Sequence, residues 1–581
     1  MIKSIWNNIT KRVNGLIDKI RHKEPWYKYY GNNPRKINYP TMTLYETIEK
    51  TAESYPYYDA FMYYGKKITY KEFIIRIKKM ASSLLEEGIK EGDVVTICMP
   101  NTPSAICMFY AVNMVGAVAS MIHPLSSEKE IELYLNTSNS KYIMTIDLVY
   151  DKIIKIIDNT NVSKIIVSSV SDDMDNAKHA IYWFMSGRKT KIAKNNKAIL
   201  LKDFLKKGIY YKDLKPVKRK NDDDAVILYS GGTTGNPKGI VLTNLNFNAL
   251  AMQAHIMTEA KAGETILSIM PIFHGFGLGV SVHTPLYIGM TCIFVPDFSP
   301  KKFDNLIRKY HPNFITGVPT LYEGLLKNRF KPKELSCIKV AISGGDTLSV
   351  ELKNRVDEFF KNHGSKAELR SGYGLTESTA AVCLTPTKYY KPNIIGMPFP
   401  DMTIKIVQIG TTEEVNVMEE GEICVNGPTV MKKYLNNENE TKTTLIKHND
   451  GKYWLHTGDI GYMDTEGFVY FKQRLKRLII SSGYNIYPSY VEEIICRHPR
   501  VESCVVIGIP HEYKKQVVKA YIVLNGDKKA DKSTKKSIKK YCEGNLAKYS
   551  WPYEYEYRDS LPTTLVGKVA YKKLEEENSD K

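Results

Sequence analysis

A chain of 581 residues is longer than one hydrophobic core usually fills, so more than one domain is expected. Hydrophobic residues at 43% and charged residues at 25% exclude a disordered or fibrous chain. The formal net charge of +19 is spread along the length without an arginine-rich arm, which speaks against nucleic acid and leaves acidic substrates or an anionic surface as partners. No apolar run approaches a bilayer span and the N-terminus lacks a signal-peptide core, so a chain neither secreted nor membrane-spanning is expected. The nine cysteines are scattered without a C-x-x-C pair, as expected of reduced thiols in a cytoplasm.

Residues 1–22 place Ile2, Ile5, Trp6, Ile9, Val13, Leu16, Ile17 and Ile20 at helical spacing opposite Lys3, Lys11, Arg12, Lys19 and Arg21. This basic amphipathic helix has two readings: peripheral contact with an anionic membrane surface, or packing on its own domain or a partner. Pro25 to Pro40, aromatic and rich in turn formers, reads as an extended wrap, and a globular body begins at Thr43. A helix over 71–87 stops at Gly88, a strand covers 94–99 and a second helix covers 103–115. Strands over 141–146, 164–168, 265–270, 291–295 and 339–343 continue the alternation, which predicts an α/β fold with parallel sheets covered by helices. Residues 169–220 break this rhythm and read as a surface insertion. Past Gly421 short strands predict a small β-rich subdomain, and from Lys476 a compact α+β module follows.

The strongest local signal is Tyr229-Ser-Gly-Gly-Thr-Thr-Gly-Asn-Pro-Lys-Gly239, directly after the apolar strand 225–228. Gly231, Gly232, Gly235 and Gly239 let backbone N–H groups approach a phosphate; Ser230, Thr233 and Thr234 offer hydroxyls, and Lys238 a point charge. The G-x-x-x-x-G-K-[ST] spacing of a Walker loop is absent, and a flexible turn is the plain alternative.

Further motifs follow in order: Pro271-Ile-Phe-His-Gly275, Gly317-Val-Pro-Thr320, Ser343-Gly-Gly-Asp346, Ser371-Gly-Tyr-Gly-Leu-Thr-Glu377, Gly421 onward to Tyr434, Thr457-Gly-Asp459, Arg474-Leu-Lys476, and Pro562-Thr-Thr-Leu-Val-Gly-Lys568. With this series the chain resembles, from about Thr43 to Leu574, the adenylate-forming superfamily of acyl-CoA synthetases, luciferases and peptide-synthetase adenylation domains. The resemblance implies an N-terminal extension (1–42), a large domain of two α/β subdomains with the β-rich one (43–475), and a mobile α+β C-terminal domain (476–581).

It also implies an ATP- and Mg²⁺-dependent ligase that forms an acyl-adenylate and passes the acyl group to coenzyme A, most like bacterial fatty acyl-CoA synthetases. A carrier-protein acceptor, an aromatic acid, or a retired enzyme acting as a sensor are the alternatives. By resemblance Lys568 bridges carboxylate and α-phosphate, Glu377 holds Mg²⁺, and Thr376 with Ser230 to Lys238 holds phosphates. Tyr373, between Gly372 and Gly374, stacks on adenine, with Gly345, Asp346 and Thr347 along its edge; Asp459 accepts the ribose hydroxyls and Arg474 adds a polar contact. His274 lines the acyl pocket or is a core histidine with one backbone hydrogen bond. Lys476 matches the hinge, and the loop at Gly483 faces the pantetheine channel. Gln473 and Thr563 depart from the family pattern, which usually has glycine and lysine there.

The two readings of the N-terminal helix part on anionic vesicles. The membrane reading predicts that removing residues 1–22 lowers co-sedimentation with phosphatidylglycerol liposomes; equal sedimentation by both forms rejects it.

Overall fold

The computed structural model describes residues 24–182, 184, 197–230, 237–296, 298–387, 389–481, 484–511, 513–526, 530–564 and 569–579. The helix over 1–22 lies outside the described residues, as do Gly231, Gly232, Thr233, Thr234, Gly235, Gly483 and Lys568.

Apolar β-branched runs build the first sheet. Val94–Cys98, Val118–Met121, Tyr142–Ile146, Lys164–Ser168 and Asp224–Ser230 are mutually parallel and almost wholly buried, as strands covered on both faces must be. The helix Pro103–Met114 is buried at every position, because its sequence is apolar on all sides and it runs through the core. Lys238–Thr243 pairs antiparallel with Asp224–Ser230, and Lys433–Tyr434 adds to its outer edge.

Beside the antiparallel edge strand Lys66–Thr69, the second sheet has six parallel strands in the spatial order Asp59–Tyr63, Thr291–Phe294, Thr265–Ser268, Phe314–Gly317, Val340–Gly344 and Leu369–Tyr373. Cys383–Leu384 and Ile394–Pro398 then carry it, antiparallel, into Val469–Arg474, Tyr453–Met463, Gly421–Asn426 and Thr403–Val407. The β-rich region is thus hydrogen-bonded onto the second sheet. In the C-terminal part, Val501–His511 and Lys515–Leu524 form a long antiparallel pair. Helices Pro488–Cys496 and Lys532–Asn545 pack on it through Val491, Ile495, Ile522 and Ile538, a core of its own.

Elements fall within a few residues of the sequence reading, with one correction. Residues 169–220 are not all surface insertion: Ala198–Leu200 joins the first sheet as an edge strand beside Lys164–Ser168, and the next helix, Leu201–Lys207, buries Leu201 and Phe204. Charged residues between these apolar ones masked the alternation.

The wrap over 25–40 docks on residues far along the chain. Trp26 and Tyr30 are buried. The Tyr30 hydroxyl donates to the Pro398 carbonyl at 2.6 Å and the Ile37 amide to Asp401 Oδ2 at 2.6 Å. Gly467, at φ +88°, packs against Trp26, whose amide nitrogen would lie 2.8 Å from any Cβ there. Trp26→Ala is expected to cost about 3–5 kcal/mol, read as a lower urea midpoint and faster proteolysis within 25–40; an unchanged midpoint would show that the wrap does not clamp the β-rich region.

Candidate active site

In open parallel sheets the ends of the strands leave carbonyl-terminated loops around a crevice, and ligands bind there. Here the strands of the second sheet deliver the predicted motifs to one cleft. Thr265–Ser268 leads to His274, Val340–Gly344 to Gly345, Asp346 and Thr347, and Leu369–Tyr373 to Gly374, Thr376 and Glu377. The first sheet contributes Ser230 and Lys238 from opposite arms of one hairpin, in register with each other, and the β-rich strands contribute Asp459 and Arg474, also in register.

Two glycines allow the close packing that closes this cleft. A Cβ on Gly275 would lie 1.9 Å from the Thr379 carbonyl oxygen, and one on Gly374 would lie 2.0 Å from that of Ala380. The His274 loop therefore rests directly on the turn that carries Thr376 and Glu377. His274 lines the cleft and its Nδ1 accepts the Phe276 amide at 3.2 Å, so it is both a pocket residue and a histidine with a backbone hydrogen bond. The π-helix Phe276–His283 that follows was not legible in the sequence; widened turns of this kind recur at functional sites.

Glu377 Oε1 accepts the Tyr434 hydroxyl at 2.9 Å and faces Ser230 Oγ at 3.5 Å. Lys238 forms an ion pair with Glu440 and lies 5.2 Å from the Tyr434 ring centre. Sequence reasoning named Tyr434 only as the end of a motif and did not name Glu440. Tyr434 is placed there by Lys433–Tyr434 pairing with Lys238–Thr243, a contact across almost two hundred residues.

At the other end of the cleft, the fully buried Asp459 takes the Tyr373 hydroxyl on Oδ2 at 2.6 Å. Arg474 Nε lies 2.9 Å from Oδ1 as an ion pair but off the hydrogen-bond line. Oδ1 is thus a buried acceptor without an aligned donor among the described residues. Burial pushes the Asp459 carboxyl above its ordinary range, against the pull of Arg474 and the Tyr373 hydroxyl. Burial also works against the Arg474 charge, but the carboxylates of Asp459 and Glu377 more than offset it and raise its pKa. Lys476 lines the cleft from the short turn Leu475–Arg477, where the chain passes into the C-terminal part.

Known protein families match the same two regions. The model for AMP-binding enzymes matches residues 48–435, and that for the AMP-binding enzyme C-terminal domain matches 490–568. The chain belongs to the AMP-binding enzyme family. This AMP-binding enzyme is 35% identical over 571 residues to the long-chain-fatty-acid–CoA ligase of Bacillus subtilis (strain 168), covering 97% of this chain and 99% of the relative. The long-chain-fatty-acid–CoA ligase of Haemophilus influenzae is 29% identical over 570 residues, covering 95% and 98%. In fold, the AMP-binding enzyme resembles ATP-bound MatB from Rhodopseudomonas palustris, with a TM-score of 0.81, 24% identity, and 93% and 99% of the two chains covered.

A nucleotide fits the donor set of this enzyme. Asp459, Tyr373 and Arg474 line the same end of the cleft. Asp459→Asn keeps the shape but removes the charge and the ion pair with Arg474. It is expected to weaken AMP and ATP binding at least 10-fold, about 1.4 kcal/mol, by titration calorimetry; unchanged affinity would take Asp459 out of the nucleotide site.

Proposed function

We propose that this enzyme activates a long-chain fatty acid with ATP and transfers the acyl group to coenzyme A. Three things support the reading: the names of the relatives, the nucleotide-fitting end of the cleft, and its apolar end. The apolar lining includes Ala254, Ile266, Val280, Ile288, Met290 and Phe314, which suits an alkyl chain and gives it no polar partner to miss.

The observation that carries the mechanism is the convergence of Thr376, Glu377 and Tyr434 with Tyr373, Asp459 and Arg474 in one cleft. Thr564 and Val569, the nearest described residues on either side of 565–568, both line the nucleotide cleft. By its place in the motif Pro562 to Lys568, Lys568 is the lysine assigned to act beside Glu377. A carboxylate approaching the α-phosphate of ATP meets like charge, and a lysine between them lowers the repulsion. One carboxylate oxygen bonds to the α-phosphorus while the bond from that phosphorus to pyrophosphate breaks, giving acyl-AMP. Glu377 and the hydroxyls of Thr376 and Tyr434 are hard oxygen donors that fit Mg²⁺. Bound there, Mg²⁺ supplies charge neutralisation on the phosphate oxygens. Ser230, the loop over 231–236 and Lys238 hold the outer phosphates, Lys238 exchanging Glu440 for them. His274 stands where the acyl carboxylate arrives.

The second step requires a different wall to the site, since a thiolate must reach the acyl carbon and displace AMP while water stays out. We assign the domain boundary to Lys476, with the unit from 476 onward rotating about it, withdrawing Lys568 and presenting the Gly483 loop to the pantetheine arm. Within the moving unit, Arg477 bonds Glu492 at 2.6 Å and lies 3.6 Å from the Tyr571 ring centre, so these contacts travel with it. No helix among the described residues is long and apolar enough to cross a membrane. Residues 1–22 resting on an anionic inner leaflet would bring the enzyme to its lipid-derived substrate.

Lys568→Ala is expected to lower fatty-acid-dependent ATP–pyrophosphate exchange at least 10²-fold, while transfer of a chemically supplied acyl-AMP to coenzyme A falls much less. Full exchange by the variant would overturn the assignment.

A further inference from the structure

Three neighbouring strands behind Asp459 bring one thiol and two imidazoles together. Gly421–Asn426 pairs antiparallel with Tyr453–Met463 so that Cys424 stands opposite His456. Leu445–Lys447 pairs with Tyr453–Met463 as well, and the turn after it, closed by the His448 amide donating to the Lys452 carbonyl at 3.0 Å, holds His448 beside them. One ligand atom from each of Cys424, His448 and His456 lies within 4.8 Å of the others. All three side chains are buried: Cys424 is 0% and His448 5% exposed, and the His456 side chain 8%.

The hydrogen bonding around them is that of a ligand set. The two Nε2 atoms face each other at 2.9 Å. His456 Nδ1 lies 2.8 Å from Glu422 Oε2, which assigns its ring proton to Nδ1 and leaves a lone pair on Nε2. A carboxylate behind one imidazole nitrogen is the usual device that orients the other nitrogen toward a metal. His448 then donates from Nε2 to His456, and its buried Nδ1 has no partner among the described residues.

We propose that Cys424, His448 and His456 bind a zinc ion, with Glu422 orienting His456. One thiolate and two imidazoles are borderline-soft donors that suit Zn²⁺ and disfavour Mg²⁺, so the site is chemically distinct from Glu377. Binding removes the proton of the Cys424 thiol to solvent, and the ring proton of His448 moves from Nε2 to Nδ1, leaving a lone pair on each Nε2. The two nitrogens separate from 2.9 Å to about 3.3 Å, the spacing that tetrahedral Zn–N bonds of about 2.0–2.1 Å require. Water completes the fourth position. The other oxygen of Glu422 accepts the Gly458 amide at 2.9 Å, so the metal staples three strands and holds the backbone one residue before the ribose-facing Asp459.

The experiment uses the full reduced chain, stripped with chelator and titrated with Zn²⁺ and, as a coloured probe, Co²⁺. Stoichiometric Zn²⁺ uptake and a thiolate-to-cobalt charge-transfer band are expected. Cys424→Ser should abolish the band, and Cys424→Ser and His448→Gln should each weaken Zn²⁺ binding at least 10-fold, while Glu377→Gln leaves both unchanged. Absence of Zn²⁺ uptake by the unaltered chain overturns the proposal, as does equal affinity in Cys424→Ser or loss of uptake in Glu377→Gln. If the variants do not fold, the cobalt spectrum of the unaltered chain decides, because a spectrum without the thiolate band rejects Cys424 as a ligand.

Discussion

A carboxylate buried without water must be held by partners, and the active cleft of this enzyme is organised around one such group. Asp459 is fully buried, and Tyr373 and Arg474 are the groups that hold it. Tyr373 comes from the last parallel strand of the second sheet and Arg474 from the strand beside Asp459, so the pairing fastens the β-rich region to the α/β region at the nucleotide site. Breaking either contact would leave a charge in a place where solvent cannot help it.

The rest of the cleft follows from strand ends and close packing. Parallel strands deliver their loops to one edge of the sheet, and glycines at 275 and 374 let two of those loops lie against the Thr379–Ala380 backbone. This sets His274 and Glu377 in one space. Tyr434 and Glu440 reach the same space from the far edge of the first sheet, where each holds a charged group that a nucleotide would claim. Charge repulsion between the substrates gives a reason for cations and hydroxyls to converge here.

Much of this was legible in the residues. Strand and helix alternation is a local property, and Val94–Cys98, Lys164–Ser168 and Pro103–Met114 stand where apolar runs and turn formers placed them. The glycine-rich loop was visible because close backbone approach restricts which residue types serve, while the aspartate and arginine motifs were singled out through the family resemblance. Ala198–Leu200 was hidden, since three half-buried residues among lysines carry no period, and its place as an edge strand depends on a neighbour thirty residues earlier. The contacts of Tyr434 and Glu440 were hidden for the same reason: they arise only when Lys433–Tyr434 pairs with Lys238–Thr243 and the helix Glu438–Thr444 that follows brings Glu440 to Lys238.

By itself the sequence determined the fold class, the order of motifs and the chemistry their residue types can perform, because propensity, periodicity and charge act over a few residues. Only the tertiary structure decided which side chains meet: the Asp459–Tyr373 hydrogen bond, the Glu377–Tyr434 contact, the docking of Trp26 against Gly467, and the convergence of Cys424, His448 and His456. Those contacts join residues tens to hundreds of positions apart, and sheet register, which no local pattern encodes, sets them within hydrogen-bond reach.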